Sequence, residues 1–484
     1  MTEPSAPTRL RRRVAFANLG CRLNIAESDA LAARFVAAGY DVSGFAGDLA
    51  EARDAGVDAV VVNTCTVTAE ADRKSRNLTR RAGRAAGPVA AGGGARPVVV
   101  ATGCFATGSP EVAASMPGVD YVVDNDRKAG IFDLVQAHLS GEIVQPDQLP
   151  ADPFGYQAGP QPLHTRATIK IQDGCDNNCT FCIIPQVRGR ASSRAPDAIL
   201  AEAQHLLAQG HRELVVTGVN IGRYQARDLD FAALLEQLLQ LPGDYRVRLS
   251  SLEPDPLGDR FLALVGHRRL CPHFHLCLQS GSDRILLRMR REYAVDEYLR
   301  LAAAIADEVR GSRGVPPQLT TDIMVGFPGE TDADFAHTVA VCEQVGFGHI
   351  HTFRFSPRQG TRAARMPEAV ADGVARQRSR QLRRVADRLT VDYRRSLIGH
   401  RQELLVERRS VEGDGTTLLS GYGECYVPIT AVGADYERST GVEPGDVTPV
   451  EVAELRKDGS LGGSLHGSLD TTSARSGRRL ARSA

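Results

Sequence analysis

The stretch DGCDNNCTFC at residues 173–182 places Cys175, Cys179 and Cys182 in a Cys-x3-Cys-x2-Cys array. A cubane iron-sulfur cluster normally takes four thiolate ligands. The next cysteine, Cys271, lies far along the chain, so this array would leave one iron open to a small molecule. Three incidental cysteines or a zinc site are the alternatives, but zinc motifs usually come in pairs and no second pair follows here.

Three apolar runs near the amino terminus each lead to a single cysteine. They are 14–20 before Cys21, 59–64 before Cys65 and 98–103 before Cys104. Apolar runs alternate here with helix-like stretches, which predicts a mostly parallel α/β sheet. The carboxyl ends of parallel strands share one edge of the sheet, so we expect the three thiols to converge into a second three-thiolate site. Buried strand-end cysteines are the alternative, because free cysteine is often buried.

The middle of the chain alternates strand-like and helix-like segments. The predicted strands are 166–172, 213–217, 246–250, 273–278, 318–325 and 349–355. Six strands separated by helices fit a partial barrel, in which the loop after the first strand carries the Cys-x3-Cys-x2-Cys array. Barrel enzymes place their chemistry at the carboxyl ends of strands. His273 and His275 alternate on one predicted strand, but core histidines are common and we assign neither as a ligand.

The carboxyl-terminal part changes composition twice. An arginine-rich helix is predicted from Arg376 to Arg395, and short strands with glycine turns then follow between 403 and 452, which indicates a small β-barrel. From Asp458 onward glycine, serine and threonine dominate, which predicts a disordered tail.

Length and composition set the outer limits of the chain. The 484 residues suffice for about three domains, and 58 basic residues balance 58 acidic ones. Neither a leader nor an apolar run of membrane length is recognisable, so we expect a cytoplasmic protein with no membrane partner. Ten cysteines in a reducing compartment indicate metal binding or free thiols rather than disulfides.

Together, the two sets of cysteines resemble those of the radical S-adenosylmethionine (SAM) methylthiotransferases. The Cys-x3-Cys-x2-Cys array resembles the radical SAM signature, and LGCRLN (19–24), NTCTVT (63–68) and TGCF (102–105) resemble the amino-terminal domain of that family. The resemblance covers about 12–455. It implies two 4Fe-4S clusters, an auxiliary one at Cys21, Cys65 and Cys104 and a SAM-cleaving one at Cys175, Cys179 and Cys182.

The resemblance also implies an activity, the methylthiolation of carbon 2 of an adenine. In that family one cluster reduces SAM to a radical that abstracts hydrogen, the auxiliary cluster supplies sulfur, and a second SAM supplies the methyl group. The motifs look most like the branch acting on N6-threonylcarbamoyladenosine 3′ of the tRNA anticodon, with flavodoxin or ferredoxin as a typical electron donor and no DNA partner. The N6-isopentenyladenosine tRNA branch is the alternative, followed by a ribosomal-protein aspartate branch and by a non-catalytic, zinc-containing RNA-binding protein.

Further site residues follow from the same resemblance. Those expected near SAM are Phe181, Gly218, Asn220, Glu253 and Gln279, of which Phe181 would pack against the adenine. Those expected to contact RNA are Arg73, Arg76, Arg80, Arg380 and Arg384, from their charge and their place on predicted helices, and Tyr422, from its place in the small β-barrel. Solvated helix faces explain the arginines equally well, and Tyr422 could belong to a core.

The expected fold is therefore an α/β multidomain chain. It has a Rossmann-like amino-terminal domain at 12–144 with the auxiliary cluster and a partial (β/α)6 radical SAM barrel at 164–394. A small β-barrel that resembles the TRAM domain of RNA-modifying enzymes follows at 396–457, and a disordered tail at 458–484.

Overall fold

The computed structural model describes residues 11–44, 56–85, 96–156, 165–255, 257–433 and 441–465. The chain divides into two compact units, one ending at Tyr393 and the other beginning at Arg394. The first unit contains both the amino-terminal sheet and the larger barrel. None of the helices in the described ranges is long and apolar enough to cross a membrane.

The amino-terminal sheet has five parallel strands in the order β2-β1-β3-β4-β5, which confirms the Rossmann-like prediction. The strands are β1 (Arg13–Asn18), β2 (Asp41–Gly44), β3 (Ala59–Thr64), β4 (Val98–Gly103) and β5 (Tyr121–Val123). The helices are α1 (Arg22–Ala37), α2 (Ala69–Ala85), α3 (Cys104–Gly108), α4 (Pro110–Ala114) and α5 (Ile131–Ser140). Every residue of β3 and β4 is buried, as expected for valine-rich parallel strands covered on both faces.

The larger barrel of the first unit consists of six parallel strands, as predicted. In spatial order they are β6 (Ala167–Lys170), β9 (Glu213–Thr217), β12 (Arg246–Leu249) continued by β13 (Ser251–Leu252), β14 (His273–Leu276), β15 (Gln318–Val325) and β16 (His349–Arg354). Shorter strands are β7 (Gln172–Asp173), β8 (Ser192–Ser193), β10 (Gln225–Ala226) and β11 (Leu229–Asp230). Within the described ranges β16 does not pair back to β6, so the barrel is open.

Helices cover the outside of this barrel. They are α6 (Ile184–Arg188), α7 (Pro196–Ala208), α8 (Phe231–Gln240), α9 (Asp259–Leu262), α10 (Asp283–Met289), α11 (Val295–Arg313), α12 (Asp332–Val345) and α13 (Asp372–Ser396). Side chains alternate along β15: Leu319, Ile323 and Val325 enter the core beneath the helices. Asp322 and Met324 therefore point to the other face, the lumen of the barrel.

The second unit is a closed five-stranded barrel. Its strands are β17 (Arg401–Val411), β18 (Thr417–Tyr422), β19 (Pro428–Gly433), β20 (Val447–Leu455) and β21 (Leu461–Leu465), and they pair in the order β17-β18-β19-β21-β20. Such a barrel fits the TRAM-like prediction.

The prediction of a disordered tail beginning at 458 is wrong for β21. This strand pairs with both β19 and β20 and so closes the barrel beyond the predicted limit of 457. Its glycines suggested disorder, but a side chain at Gly463 would collide with the backbone of Glu451, so glycine is what allows the strand to fit. The rest of the predicted tail lies outside the described residues.

Candidate functional site

The Cys-x3-Cys-x2-Cys loop begins directly after β7, at the carboxyl end of the first barrel strand. Gly174 starts it with a φ of 65° and packs against the backbone of Arg190, where a side chain would not fit. The backbone N–H of Cys175 donates to the Gly189 carbonyl at 3.2 Å. All three cysteines of the loop are half-buried, so part of each residue remains accessible to a ligand.

The thiols of this loop lie close enough to interact electrostatically. Burial, together with the neighbouring Cys179 and Cys175, raises the pKa of Cys182 to about 12. A thiol in such a place stays protonated unless a cation replaces the proton, and a bound metal deprotonates it. The buried guanidinium of Arg291 lies 3.4 Å from the Cys179 sulfur and favours negative charge there.

A cavity of about 470 Å³ opens beside Cys175. Gln172 and Asn220 line it, and the Gln172 side-chain oxygen accepts from the Asn220 N–H at 2.8 Å. Asn220 is 2% exposed, and its amide oxygen and nitrogen have no nitrogen or oxygen partner among the described residues. The amide interacts with the Cys175 thiol, whose pKa is raised by burial and lowered in part by this contact. Buried polar atoms are normally satisfied, so this amide is suited to a polar ligand in the cavity.

Gly218 is what brings these two residues together. A Cβ at Gly218 would lie 2.9 Å from the Gln172 carbonyl oxygen and 3.0 Å from the Gln172 Cβ. The strand end therefore requires glycine so that the backbone of Asn220 can reach Gln172.

A second cavity, of about 180 Å³, lies beside Cys182 and is called here the reaction cavity. Phe181, Gln279 and Asp322 line it from the barrel, whereas Val67 and Thr68 line it from the amino-terminal sheet. Gln279 has a φ of 66°, a strained conformation for a residue other than glycine and one that concentrates at functional sites. Residues immediately after Cys65 thus share one cavity with Cys182.

The amino-terminal cysteines meet at the carboxyl edge of their sheet. The register pairs Asn18 of β1 with Asn63 of β3, and Thr64 of β3 with Gly103 of β4, so Cys21, Cys65 and Cys104 follow adjacent strand ends. Burial raises the pKa of Cys65 to about 11, and Cys104 and Cys21 add to the effect. A single tetrahedral zinc ion requires its ligand atoms to lie close together. In the described residues, neither cysteine trio has all three of its sulfur atoms within 4.8 Å of one another.

A buried network of charges lies between the two cysteine trios. Arg188 donates to Glu27 at 2.9 Å and to Asp173 at 3.0 Å, while Lys170 donates to Glu27 at 2.9 Å and Lys128 also pairs with Glu27. Burial opposes the ionisation of Glu27, but Arg188, Lys128 and Lys170 together hold its pKa well below the usual range. Three cations face two carboxylates, and the excess positive charge favours thiolate beside Arg188.

Comparison with known proteins identifies the family. The radical SAM superfamily model matches residues 169–342, and that of the uncharacterized protein family UPF0004 matches residues 13–124. The threonylcarbamoyladenosine tRNA methylthiotransferase MtaB of Thermotoga maritima is 36% identical over 93% of this chain and 96% of its own length. The chain belongs to the radical SAM methylthiotransferase family.

Other members of this family are also similar. MtaB of Bacillus subtilis is 33% identical, over 87% of this chain and 91% of its own. The tRNA-2-methylthio-N(6)-dimethylallyladenosine synthase of Pelotomaculum thermopropionicum is 32% identical, over 87% of this chain and 96% of its own. Among solved structures, the radical SAM methyltransferase TsrM from Kitasatospora setae aligns with a TM-score of 0.52 at 15% identity, covering 71% of this chain and 75% of that one, which shows the fold alone.

Membership of the radical SAM methylthiotransferase family implies SAM and a 4Fe-4S cluster. The Cys175, Cys179 and Cys182 loop fits such a cluster because it offers three thiols, and the buried Asn220 amide beside Cys175 fits a polar cofactor. The chain is accordingly a radical SAM methylthiotransferase enzyme.

Two other predicted SAM residues have partners within the protein. Phe181 packs edge-on against Phe327, with ring centroids 6.5 Å apart, and lines the reaction cavity. Glu253 is paired with Arg291, the same arginine that approaches Cys179. The proposed contact between Glu253 and SAM stays a prediction, and Arg291 competes for its carboxylate.

The predicted RNA-binding arginines of α2 differ in their surroundings. Arg73 pairs with Glu70 at 2.7 Å and Arg76 with Asp72 at 2.8 Å. Arg80 is exposed and makes no hydrogen bond or ion pair with any residue that the structure describes. Of the three, Arg80 is thus the one whose guanidinium has no competing carboxylate.

The remaining predicted RNA contacts lie on two elements. Arg380 and Arg384 are exposed on α13. In the second unit, Tyr422 stacks on Tyr426 with ring centroids 4.9 Å apart, and both are half-buried. A role in RNA binding stays a prediction for all three predicted residues.

Arg188 and Arg291 were not among the site residues predicted from the sequence. Each is one arginine among many in a chain whose positive charge is mostly arginine, so residue type gives no signal. The one available hint for Arg188 is its place six residues after Cys182, close enough along the chain to fold back beneath the loop.

Proposed function

We propose that this enzyme methylthiolates carbon 2 of N6-threonylcarbamoyladenosine 3′ of the anticodon in tRNA. The MtaB relatives of Thermotoga maritima and Bacillus subtilis are named for this nucleoside, and the chain spans nearly their whole length. The single observation that carries the proposal is the reaction cavity, which residues following Cys65 share with Cys182. Sulfur donor and radical source would then act on one base.

We further propose that Cys21, Cys65 and Cys104 hold a second 4Fe-4S cluster. Support comes from their positions at three adjacent strand ends. The three are also near enough to one another that Cys104 and Cys21 raise the pKa of Cys65. The positive excess around Arg188 would stabilise an anionic cluster. Asn125 adds a donor, since its side-chain nitrogen lies 3.8 Å from the Cys104 sulfur.

The roles of the other residues follow from their positions. When bound, the clusters and SAM supply the electron transfer, the sulfur and the methyl group. The amide of Asn220 would hold a polar group of SAM in the cavity beside Cys175, and Phe181, which lines the reaction cavity, would pack against the adenine of SAM. Gln279 would hydrogen-bond a polar group of SAM from the strained strand end. Arg291 would hold Glu253 and Cys179 in place.

Substrate delivery and reduction require partners. An anticodon-loop adenine is unpaired or easily splayed out, so entry into the cavity costs little. We propose that Arg80, Arg380 and Arg384 contact tRNA phosphates, that Tyr422 stacks on RNA, and that a flavodoxin or ferredoxin supplies electrons in the cytoplasm. The proposed domains are 12–144 and 164–394, with the second barrel reaching 465.

The alternative substrate is N6-dimethylallyladenosine, since relatives with that specificity are 32–33% identical. Mass spectrometry of tRNA nucleosides from a deletion strain separates the two. We expect loss of 2-methylthio-N6-threonylcarbamoyladenosine and its return on complementation. Unchanged levels of that nucleoside, with loss of the dimethylallyl product, would instead establish the alternative.

A further inference from the structure

Three side chains from neighbouring strands meet in the lumen of the large barrel: His275 of β14, Asp322 of β15 and His351 of β16. The Nε2 atom of His275 lies 3.4 Å from Asp322 Oδ1, and the two histidine rings have centroids 5.6 Å apart. Nδ1 of His275 is hydrogen-bonded to Thr320 Oγ1 at 2.9 Å, which fixes the ring. We call these three residues the lumen triad.

The lumen triad lies between two cavities. Asp322 lines the reaction cavity beside Cys182. His351 lines another cavity, of about 300 Å³, whose wall is completed by β16 and α13, the helix contributing Arg383, Asp387 and Thr390. Phe353 borders both, so the second cavity, the side recess, adjoins the place where the base would react.

Arg383 is the cation of the side recess. It forms no hydrogen bond or ion pair with another residue in the described ranges. On the same helix, Arg376 pairs with Asp372 and Arg388 pairs with Glu343. Asp387 lines the same recess but does not pair with Arg383, so the guanidinium is available to an external anion, and arginine is well matched to a carboxylate.

The chemistry of the substrate matches this arrangement. Carbon 2 of adenine and carbon 6, which carries the N6 nitrogen, are bonded to the same ring nitrogen, so a base with carbon 2 in the reaction cavity presents its N6 substituent close by. A threonylcarbamoyl group carries a carboxylate, a hydroxyl and amide N–H groups. We propose that the lumen triad and Arg383 bind this substituent, an inference that rests on the proposed function.

Each partner has a distinct role in this site. Arg383 pairs with the threonyl carboxylate, and Asp322 accepts from the hydroxyl or a carbamoyl N–H. The ring of His351 hydrogen-bonds a remaining oxygen, whereas His275, held by Thr320, positions Asp322. A dimethylallyl group has no hydrogen-bonding atoms. It would displace water from Asp322 and the histidines without offering them a hydrogen bond in return, which is unfavourable. Sites built to hydrogen-bond a substrate reject analogues that lack the polar group.

Binding of anticodon stem-loops tests the site apart from turnover. Two RNAs are used, identical except that one carries N6-threonylcarbamoyladenosine and the other adenosine, with affinity read by fluorescence anisotropy. We expect the wild-type protein to prefer the modified RNA by about tenfold or more. Arg383→Ala and His351→Phe should abolish this preference while leaving affinity for the unmodified RNA unchanged, which also shows that the variants fold. Arg388→Ala, outside the recess, should keep the preference.

Other outcomes overturn the inference in distinguishable ways. If both variants still prefer the modified RNA, the proposed site does not exist. If Arg383→Ala lowers the affinity for both RNAs equally, Arg383 contacts a phosphate instead. Stoichiometric zinc in the wild type that is absent from His351→Phe would mean that the lumen triad binds a metal. If the wild-type enzyme methylthiolates the dimethylallyl stem-loop alone, the proposed function itself fails. If it modifies the threonylcarbamoyl RNA while the variants keep the preference, only the inference fails.

Discussion

Arg188 of α6 donates a hydrogen bond of 2.9 Å to Glu27 of α1, and both side chains are almost completely buried. Glu27 belongs to the helix that follows Cys21, whereas Arg188 belongs to the helix that follows the radical SAM loop. The pair therefore connects the supports of the two cysteine trios. This contact is one of those that join the amino-terminal sheet to the large barrel, and the two form one compact unit.

Glu27→Gln should destabilise the protein strongly. The change leaves Arg188, Lys128 and Lys170 buried with one carboxylate, and removal of one member of a buried ion pair typically costs about 3–5 kcal/mol. Urea denaturation of anaerobically purified protein measures the effect. Glu70→Gln, which breaks an exposed pair with Arg73, serves as the control and should not change the midpoint measurably. If the two variants unfold at the same urea concentration, Glu27 does not contribute to stability.

Cys65→Ala should separate the two chemical steps. Iron content should fall from about eight to about four atoms per chain, because one of two 4Fe-4S clusters is lost. SAM cleavage to 5′-deoxyadenosine should persist while methylthiolated RNA disappears, as mass spectrometry of the products would reveal. Cys271→Ala, at a buried cysteine outside both trios, should retain all the iron. Loss of SAM cleavage in Cys65→Ala would show that the two sites are not independent.

Gly218→Ala should weaken SAM binding about tenfold or more. The added methyl group would lie 2.9 Å from the Gln172 carbonyl and displace the strand end that carries Asn220. Equilibrium dialysis with cluster-loaded protein measures the dissociation constant. Gly258→Ala is the matched control, since a Cβ there meets nothing within 4 Å. Similar affinities in the two variants would argue against a SAM site at this strand end.

Arg80→Ala should weaken tRNA binding more than Arg73→Ala does. Arg80 has no partner in the described ranges, whereas Arg73 is already held by Glu70. Loss of a phosphate contact lowers the slope of log affinity against log salt by about 1. Filter binding across a salt series checks this, and identical slopes for Arg80→Ala and wild type would mean that Arg80 is only a solvated residue.

Stability should fall in acid partly because of Glu213. Burial opposes its ionisation, but Arg246, Arg248 and Arg166 hold its pKa far below the ordinary value of 4.5. A depressed carboxyl pKa stabilises the fold above the unfolded value and loses that contribution as the pH falls. The free energy of unfolding should therefore decrease between about pH 5 and 3. Glu213→Gln should be less stable at neutral pH and show a flatter pH dependence, and a slope as steep as that of the wild type would assign the effect to other carboxyls.

The sequence predicted much of the architecture because local patterns suffice for it. Valine-rich runs such as 59–64 read as buried strands, and the position of Cys65 after such a run follows from chain order alone. The boundary at 457 could not be predicted in this way. Glycines in β21 are unfavourable for an isolated strand. The folded structure requires glycine at 463 because the backbone of Glu451 leaves no room for a side chain there.

The sequence by itself determined the number and spacing of the cysteines and the order of strands that presents them, because both are encoded in neighbouring residues. Only the tertiary structure brought Glu27 to Arg188 and His275 to Asp322 and His351. These residues are far apart in the chain, and their pairing depends on packing and desolvation that no local pattern records. The reaction cavity between Cys182 and the residues after Cys65 is likewise a product of the folded chain.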